Sequence, residues 1–182
     1  HEICPLPLEN NPFRTEHGLE GKFVVLYSGN IALTQGMKTV IHAAKLLSHL
    51  PEIVFVIVGE ERAIANLQSL CDESQVENVK LLTFQPREML PQMLAAANVG
   101  LIIQKANVVS FNMPSKTQVI LASGRPIIAS VPLTGTAARA VKQSQGGLVV
   151  EPEQPRALAE AILKLYHHGD YARLLGEQGR NF

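Results

Sequence analysis

The sequence predicts an α/β fold: an open parallel sheet of about six strands with helices on both faces. Three observations carry that expectation. Short, continuous apolar runs recur along the chain, stretches of helical spacing separate them, and clusters of Gly, Pro, Ser and Asn mark the joins. A run with no polar alternate positions has to be buried on both faces, and parallel neighbours need a crossover between them.

Taken in order, Phe23 to Tyr27 (FVVLY) is the first strand, entering a turn at Ser28-Gly29-Asn30. From Gly36 the period changes: Met37, Val40, Ile41, Ala44 and Leu47 share one helical face, and Pro51 closes the segment. Ile53 to Val58 is the second strand, closed by Gly59-Glu60-Glu61, and Ala63 to Leu70 reads as an amphipathic helix. Val79 to Phe84 is the third strand. Pro86 and Pro91 open a turn and then a helix through Ala97, and Val99 to Ile103 is the fourth strand. A helix from Ser115, stopped by Gly124, leads to a strand at Pro126 to Ala129. Thr134 to Val141 is helical, Gly147 to Val150 is the sixth strand, and Pro155 to His168 and Tyr171 to Leu175 are the closing helices. This rhythm describes a Rossmann-like sheet, with the order 3-2-1-4-5-6 expected by fold analogy and ligands beyond the carboxyl ends of the strands.

Composition narrows the function. The 182 residues carry no formal net charge, which gives no bulk attraction to nucleic acid or to an anionic membrane. Cys4 and Cys71 have no metal-ligand spacing and read as two reduced thiols. No apolar run approaches the roughly 20 residues of a membrane span, and no secretory signal is present, so a soluble, cytoplasmic domain is expected. Residues 1–20 begin at His1, are proline-bearing and lack a period. They read as the remnant of an interdomain linker, with residues 21–182 as the domain of a larger protein.

The stretch Met113 to Ser130 (MPSKTQVILASGRPIIAS) concentrates the chemistry. Pro114 suits a first helical turn, Ser115 can cap the neighbouring amides, and Lys116 adds a full charge to a helix N-terminus. Such a terminus beside the carboxyl end of a buried strand suits a phosphate. After the first strand, Gly29 and Gly36 stand seven apart, in neither a dinucleotide fingerprint nor a P-loop. Glu60 is open to two readings, a ligand contact or a solvated loop carboxylate. His17, His42, His49, His167 and His168 share no spacing with carboxylates or cysteines, so no metal site is expected and no catalytic triad can be assembled.

Five ordered blocks go further. FVVLYSGNIALTQGMKTVIHAAKLL, FVIVGEE, VKLLTFQPREMLPQMLAAANVGLI, MPSKTQVILASGRPIIAS and GGLVVEPEQPRALAEAIL together resemble the donor-binding half of the group 1 glycosyltransferases. These are retaining enzymes of the two-Rossmann (GT-B) architecture, and the wording is similar to the exopolysaccharide branch related to colanic acid biosynthesis. The resemblance covers about residues 20 to 180. It implies transfer of a sugar from a nucleoside-diphosphate sugar, with no other cofactor, to a polysaccharide or lipid-linked saccharide. It also implies an N-terminal acceptor domain, outside this chain, which carries the acceptor-activating residues and can seat the protein at the inner membrane face.

By the same resemblance, Gly29, Asn30 and Gln35 after the first strand stand at the donor-gripping positions, and the Pro114-Ser115-Lys116 turn supplies amides and a cation; Gly36, Met113 and Glu60 are candidate contacts beside them, Glu60 with its solvated-loop alternative still open. The backbone at Phe84 and Gln85 is implied beside the base. Where the family carries an arginine and a lysine in the first turn, this chain has Asn30 and Gln35. The family's two glutamates, eight apart, fall on Phe111 and Val119. The resemblance leaves an alternative reading open: a degenerate domain kept as a non-catalytic binding or scaffolding module. A sugar-nucleotide epimerase on the same architecture lacks an acid pair for proton abstraction.

Overall fold

The computed structural model describes residues 3–31, 36–107 and 115–182, with only the backbone of Ser115. Its elements are α1 (Pro12–Glu16), β1 (Phe23–Ser28), α2 (Met37–Leu46), β2 (Ile53–Gly59), α3 (Glu61–Ser74), β3 (Val79–Thr83), α4 (Leu90–Ala96), β4 (Val99–Ile103), α5 (Ser115–Ala122), β5 (Ile127–Ser130), α6 (Thr136–Ser144), β6 (Gly147–Val150), α7 (Pro155–His167) and α8 (Gly169–Arg180). A 3-10 turn at Arg87–Met89 precedes α4.

The strands form one six-stranded sheet in the order β3-β2-β1-β4-β5-β6, with every pairing parallel. The predicted order and class therefore hold. Alternation along each strand supplies two cores. Val25, Tyr27, Phe55, Ile57, Leu101 and Ile103 face one way, against α2, α7 and α8. Val24, Leu26, Val56, Val58 and Ile102 face the other, against α1, α4, α5 and α6. β4 and β5 are buried at every residue, as their apolar runs require, whereas the edge strands β3 and β6 are only half-buried. The expectation that every strand is covered on both faces fails at those edges. There Lys80 reaches out to donate to the His17 carbonyl at 2.9 Å.

Helix lengths differ from the sequence expectation where apolar period is a poor guide. α3 runs from Glu61 to Ser74 and α8 from Gly169 to Arg180, because polar turns of good helix formers continue a helix without extending its apolar stripe. α6 starts at Thr136 rather than Thr134, after a turn in which the Gly135 amide donates to the Pro132 carbonyl at 3.0 Å.

Residues 9–20 are packed, although no period announces them. The Asn11 side chain caps the Arg14 amide at 3.0 Å, Pro12 occupies the first turn of α1, and Phe13 is fully buried. Arg14 is buried too. Its guanidinium donates to the carbonyls of Ala96 (3.0 Å), Leu19 (3.0 Å) and Lys22 (2.9 Å) and to Asn98 Oδ1 (2.7 Å). This cation closes the carboxyl end of α4, where the helix dipole favours positive charge, and pins the N-terminal segment to the amino edge of the sheet.

Candidate functional site

The chain runs outward from β1 through β2 to β3 and then returns to β4 on the other side of β1. The carboxyl ends of β1 and β4 therefore flank the switch point, where open α/β sheets bind ligands. β1 ends in Ser28, and Gly29 turns the chain at φ +144°, with its amide donating to the Val58 carbonyl at 3.1 Å.

Lys116, in the first turn of α5, reaches across this turn. Its Nζ donates to the Tyr27 hydroxyl at 2.8 Å and lies 4.1 Å from the Tyr27 ring centroid, so a hydroxyl and a ring face share the ammonium. The Tyr27 hydroxyl donates in turn to the Asn30 carbonyl at 2.7 Å. Gly29 leaves room for the approach: a Cβ there would stand 3.3 Å from Lys116 Nζ, close enough that the amine would have to shift slightly. Burial holds the Lys116 amine down at about 8, from the ordinary 10.5, and pushes the Tyr27 phenol up.

These residues stand at one end of a cavity of about 350 Å³ that runs along β1 and β4 between α4 and α5. Leu26, Leu90, Leu94, Gly100, Val119 and Ile120 make its walls, with Ser28, Gly29, Asn30 and Lys116 at the carboxyl edge of the sheet. Arg125 closes the other end. It donates to the carbonyls of Leu6 (2.6 Å) and Ala95 (2.8 Å), and among the described residues its buried Nε has no partner. The cavity has the size and make-up usual for a small-molecule site, with an apolar body and few polar groups. At its carboxyl edge, one cation and the start of α5 can take an anion.

Of the residues singled out in the sequence, Gly29, Asn30 and Lys116 come together on this cavity. Gly36 caps α2 at φ +69° with Lys105 packed behind it, the Lys105 Cγ lying 3.3 Å from where a Cβ would be. Glu60 is an exposed N-cap residue of α3 without a capping side-chain bond. Phe84 is 58% exposed beyond β3, and Gln85 donates to the Thr83 carbonyl at 3.0 Å. None of these four lines the cavity. Gln35, Met113, Pro114 and the Ser115 side chain lie outside the described residues. Sequence reasoning missed Tyr27 and Arg125; their only signals are positions, one just ahead of the Ser28-Gly29 turn and the other between Gly124 and Pro126. Among the described residues no three His, Cys, Asp or Glu side chains converge as metal ligands, and no helix is long and apolar enough to cross a membrane.

A parallel six-stranded sheet with its cavity at the β1/β4 switch point defines a class, nucleotide-binding-like α/β domains, and comparison with known proteins supplies the family. The sequence matches the family described as glycosyl transferases group 1 over residues 9–182. The chain belongs to that family. It is 30% identical over 163 residues to the Escherichia coli strain K12 protein WcaI, provisionally named a colanic acid biosynthesis glycosyl transferase. That match covers 87% of this chain and 40% of WcaI, so the chain spans well under half of this relative. Two solved structures share the fold. Anabaena HepE, in complex with UDP and glucose, superposes with a TM-score of 0.79 at 18% identity, over 97% of this chain and 50% of that one. The C-terminal domain of the group 1 protein LpcC from Francisella tularensis gives 0.77 at 17% identity, over 98% and 92%.

Proposed function

We propose that this chain is the donor-binding domain of a glycosyltransferase and takes a nucleoside-diphosphate sugar at the β1/β4 cavity. One observation carries the reading: the Gly29 turn, Lys116 and the start of α5 converge on a single cavity at the switch point of the sheet. The shared fold with a protein whose structure holds UDP and glucose supports it. In the proposed reaction the diphosphate leaves with extra negative charge while the anomeric carbon becomes oxocarbenium-like. Preorganised donors aimed at the leaving group stabilise that state more than the ground state. Lys116 supplies the full charge, and the start of α5 supplies the dipole. Asn30 and Gln35 contribute neutral donors, which are about half as strong as charged ones.

The acceptor is a polysaccharide or lipid-linked saccharide and transfer proceeds with retention. The acceptor-activating groups belong to a second domain of the same protein. In this reading residues 21–182 are the donor domain, and residues 1–20 are the segment that joins it to its partner half.

Calorimetric titration of the chain with UDP at fixed salt tests the reading. UDP is expected to bind, and Lys116→Ala to weaken it about tenfold or more, the loss of a charged hydrogen bond to phosphate. Asn30→Arg with Gln35→Lys is expected to tighten it. Absence of UDP binding by the folded chain would put the non-catalytic, scaffolding reading in its place.

A further inference from the structure

Among the described residues, Lys116 is a half-buried amine with no carboxylate beside it. Around the cavity it shares, β1 offers the Tyr27 hydroxyl at 2.8 Å and neutral Ser28 and Asn30, β4 offers Gly100, and α4 and α5 offer aliphatic side chains such as Leu94 and Ile120. The other charged group on the cavity, Arg125, stands at its far end. Residues 32–35 and 108–114, which follow β1 and β4 in the sequence, contain no Asp or Glu. Glu60 follows β2, on the side of β1 away from β4, and does not line the cavity. Nor does the phenol stand in for a carboxylate: burial pushes its pKa up, so it gives Nζ a dipole and no counter-charge.

Withdrawing an ammonium from water without a counter-charge favours the neutral amine, and burial holds Lys116 at about 8. At pH 7 about one such amine in ten is neutral, against roughly one in three thousand at the ordinary 10.5. A neutral lysine amine attacks carbonyl carbon, and desolvation among apolar groups is one way proteins activate it. The cavity of about 350 Å³ adds a place for the rest of the electrophile, whose apolar body can lie between α4 and α5 with its carbonyl at Nζ.

Going beyond the donor-site reading, we propose that Lys116 is a covalent site for aldehydes with a compact apolar body, which it binds as an imine at Nζ. The neutral amine adds to the carbonyl carbon, a C–N bond forms, and a proton passes from nitrogen to the former carbonyl oxygen. The carbinolamine then loses water and leaves C=N. Aldehyde and amine give imine and one water, with no oxidant or reductant consumed.

Benzaldehyde is the probe, with cyanoborohydride to reduce the imine to a stable benzylamine. The 182-residue chain is treated at several pH values and read by peptide mass mapping. At pH 7 Lys116 is expected to be labelled at least tenfold faster than any other of the eight lysines. A less basic amine is a weaker nucleophile, which is why the rate advantage falls short of the advantage in neutral amine. The Lys116 rate should level off above about pH 8. Acetaldehyde, which forms the same bond but leaves the cavity unfilled, is expected to show a smaller preference for Lys116. Lys116→Arg should lose the fast labelling and keep the slow labelling of the other lysines. Even labelling of the lysines by benzaldehyde overturns the proposal, and equal preference with the two aldehydes overturns the part given to the cavity. If the variant does not fold, the wild-type peptide map alone decides. UDP binding is titrated separately, so failure here leaves the donor site standing.

Discussion

Arg14 and Lys116 are both cations withdrawn from water, at opposite edges of the same sheet, and their surroundings differ in kind. Arg14, at the amino edge, is 6% exposed and donates to three carbonyls and an amide oxygen. Lys116, at the carboxyl edge, is half-buried and shares its charge between one hydroxyl and a ring face. Burial lowers the pKa of both. The guanidinium stays charged regardless and has its acceptors arranged around it, while among the described residues the ammonium donates only to the Tyr27 hydroxyl. The fold occupies four of the five Arg14 donors, whereas among the described residues Lys116, the cation proposed for the donor, makes one side-chain hydrogen bond.

The sharpest way to break this contrast is to remove the saturated cation. Arg14→Met leaves the carbonyls of Leu19, Lys22 and Ala96 without that donor and is expected to cost about 3–5 kcal/mol of stability, measured by urea unfolding at unchanged slope. UDP affinity of the folded fraction should stay as it was. A loss under about 1 kcal/mol would mean that water replaces the guanidinium freely and that the amino edge is not saturated after all.

Next in size is the pH dependence of Lys116. Its folded value of about 8 lies below the ordinary 10.5, so between those values the unfolded chain holds a proton that the folded chain has released. Stability therefore rises with pH across about 8 to 10.5 and is insensitive to this group on either side. Thermal unfolding at several pH values should show that rise in the wild type and lose it in Lys116→Met. UDP affinity should run the opposite way, falling as pH climbs through about 8 and the ammonium discharges.

The smallest effect sharpens the comparison most. Tyr27→Phe keeps the ring and removes only the hydroxyl that accepts from Lys116 and donates to Asn30. UDP affinity is expected to fall about threefold to tenfold, the range of one neutral hydrogen bond. The midpoint of its pH profile should move lower, since the buried ammonium has lost an acceptor. A variant with the same midpoint as the wild type would show that the hydroxyl only packs.

Much of this molecule is determined by its sequence alone. β1, β2, β4 and β5 were readable because a run such as FVVLY or VGLII, apolar at every position, can be satisfied only inside a parallel sheet. Gly29 and Lys116 were readable as candidates, and both line the β1/β4 cavity, because turn glycines and helix starts have local chemistry. Tertiary structure alone decided the rest. Arg14 looked like part of an aperiodic tail, and its role depends on acceptors at Ala96 and Asn98, more than eighty residues away. Tyr27 read as one more apolar strand residue until Lys116, 89 residues on, was brought to its hydroxyl. Local pattern records which groups must leave water; which partner each one meets there is settled only by how the layers pack.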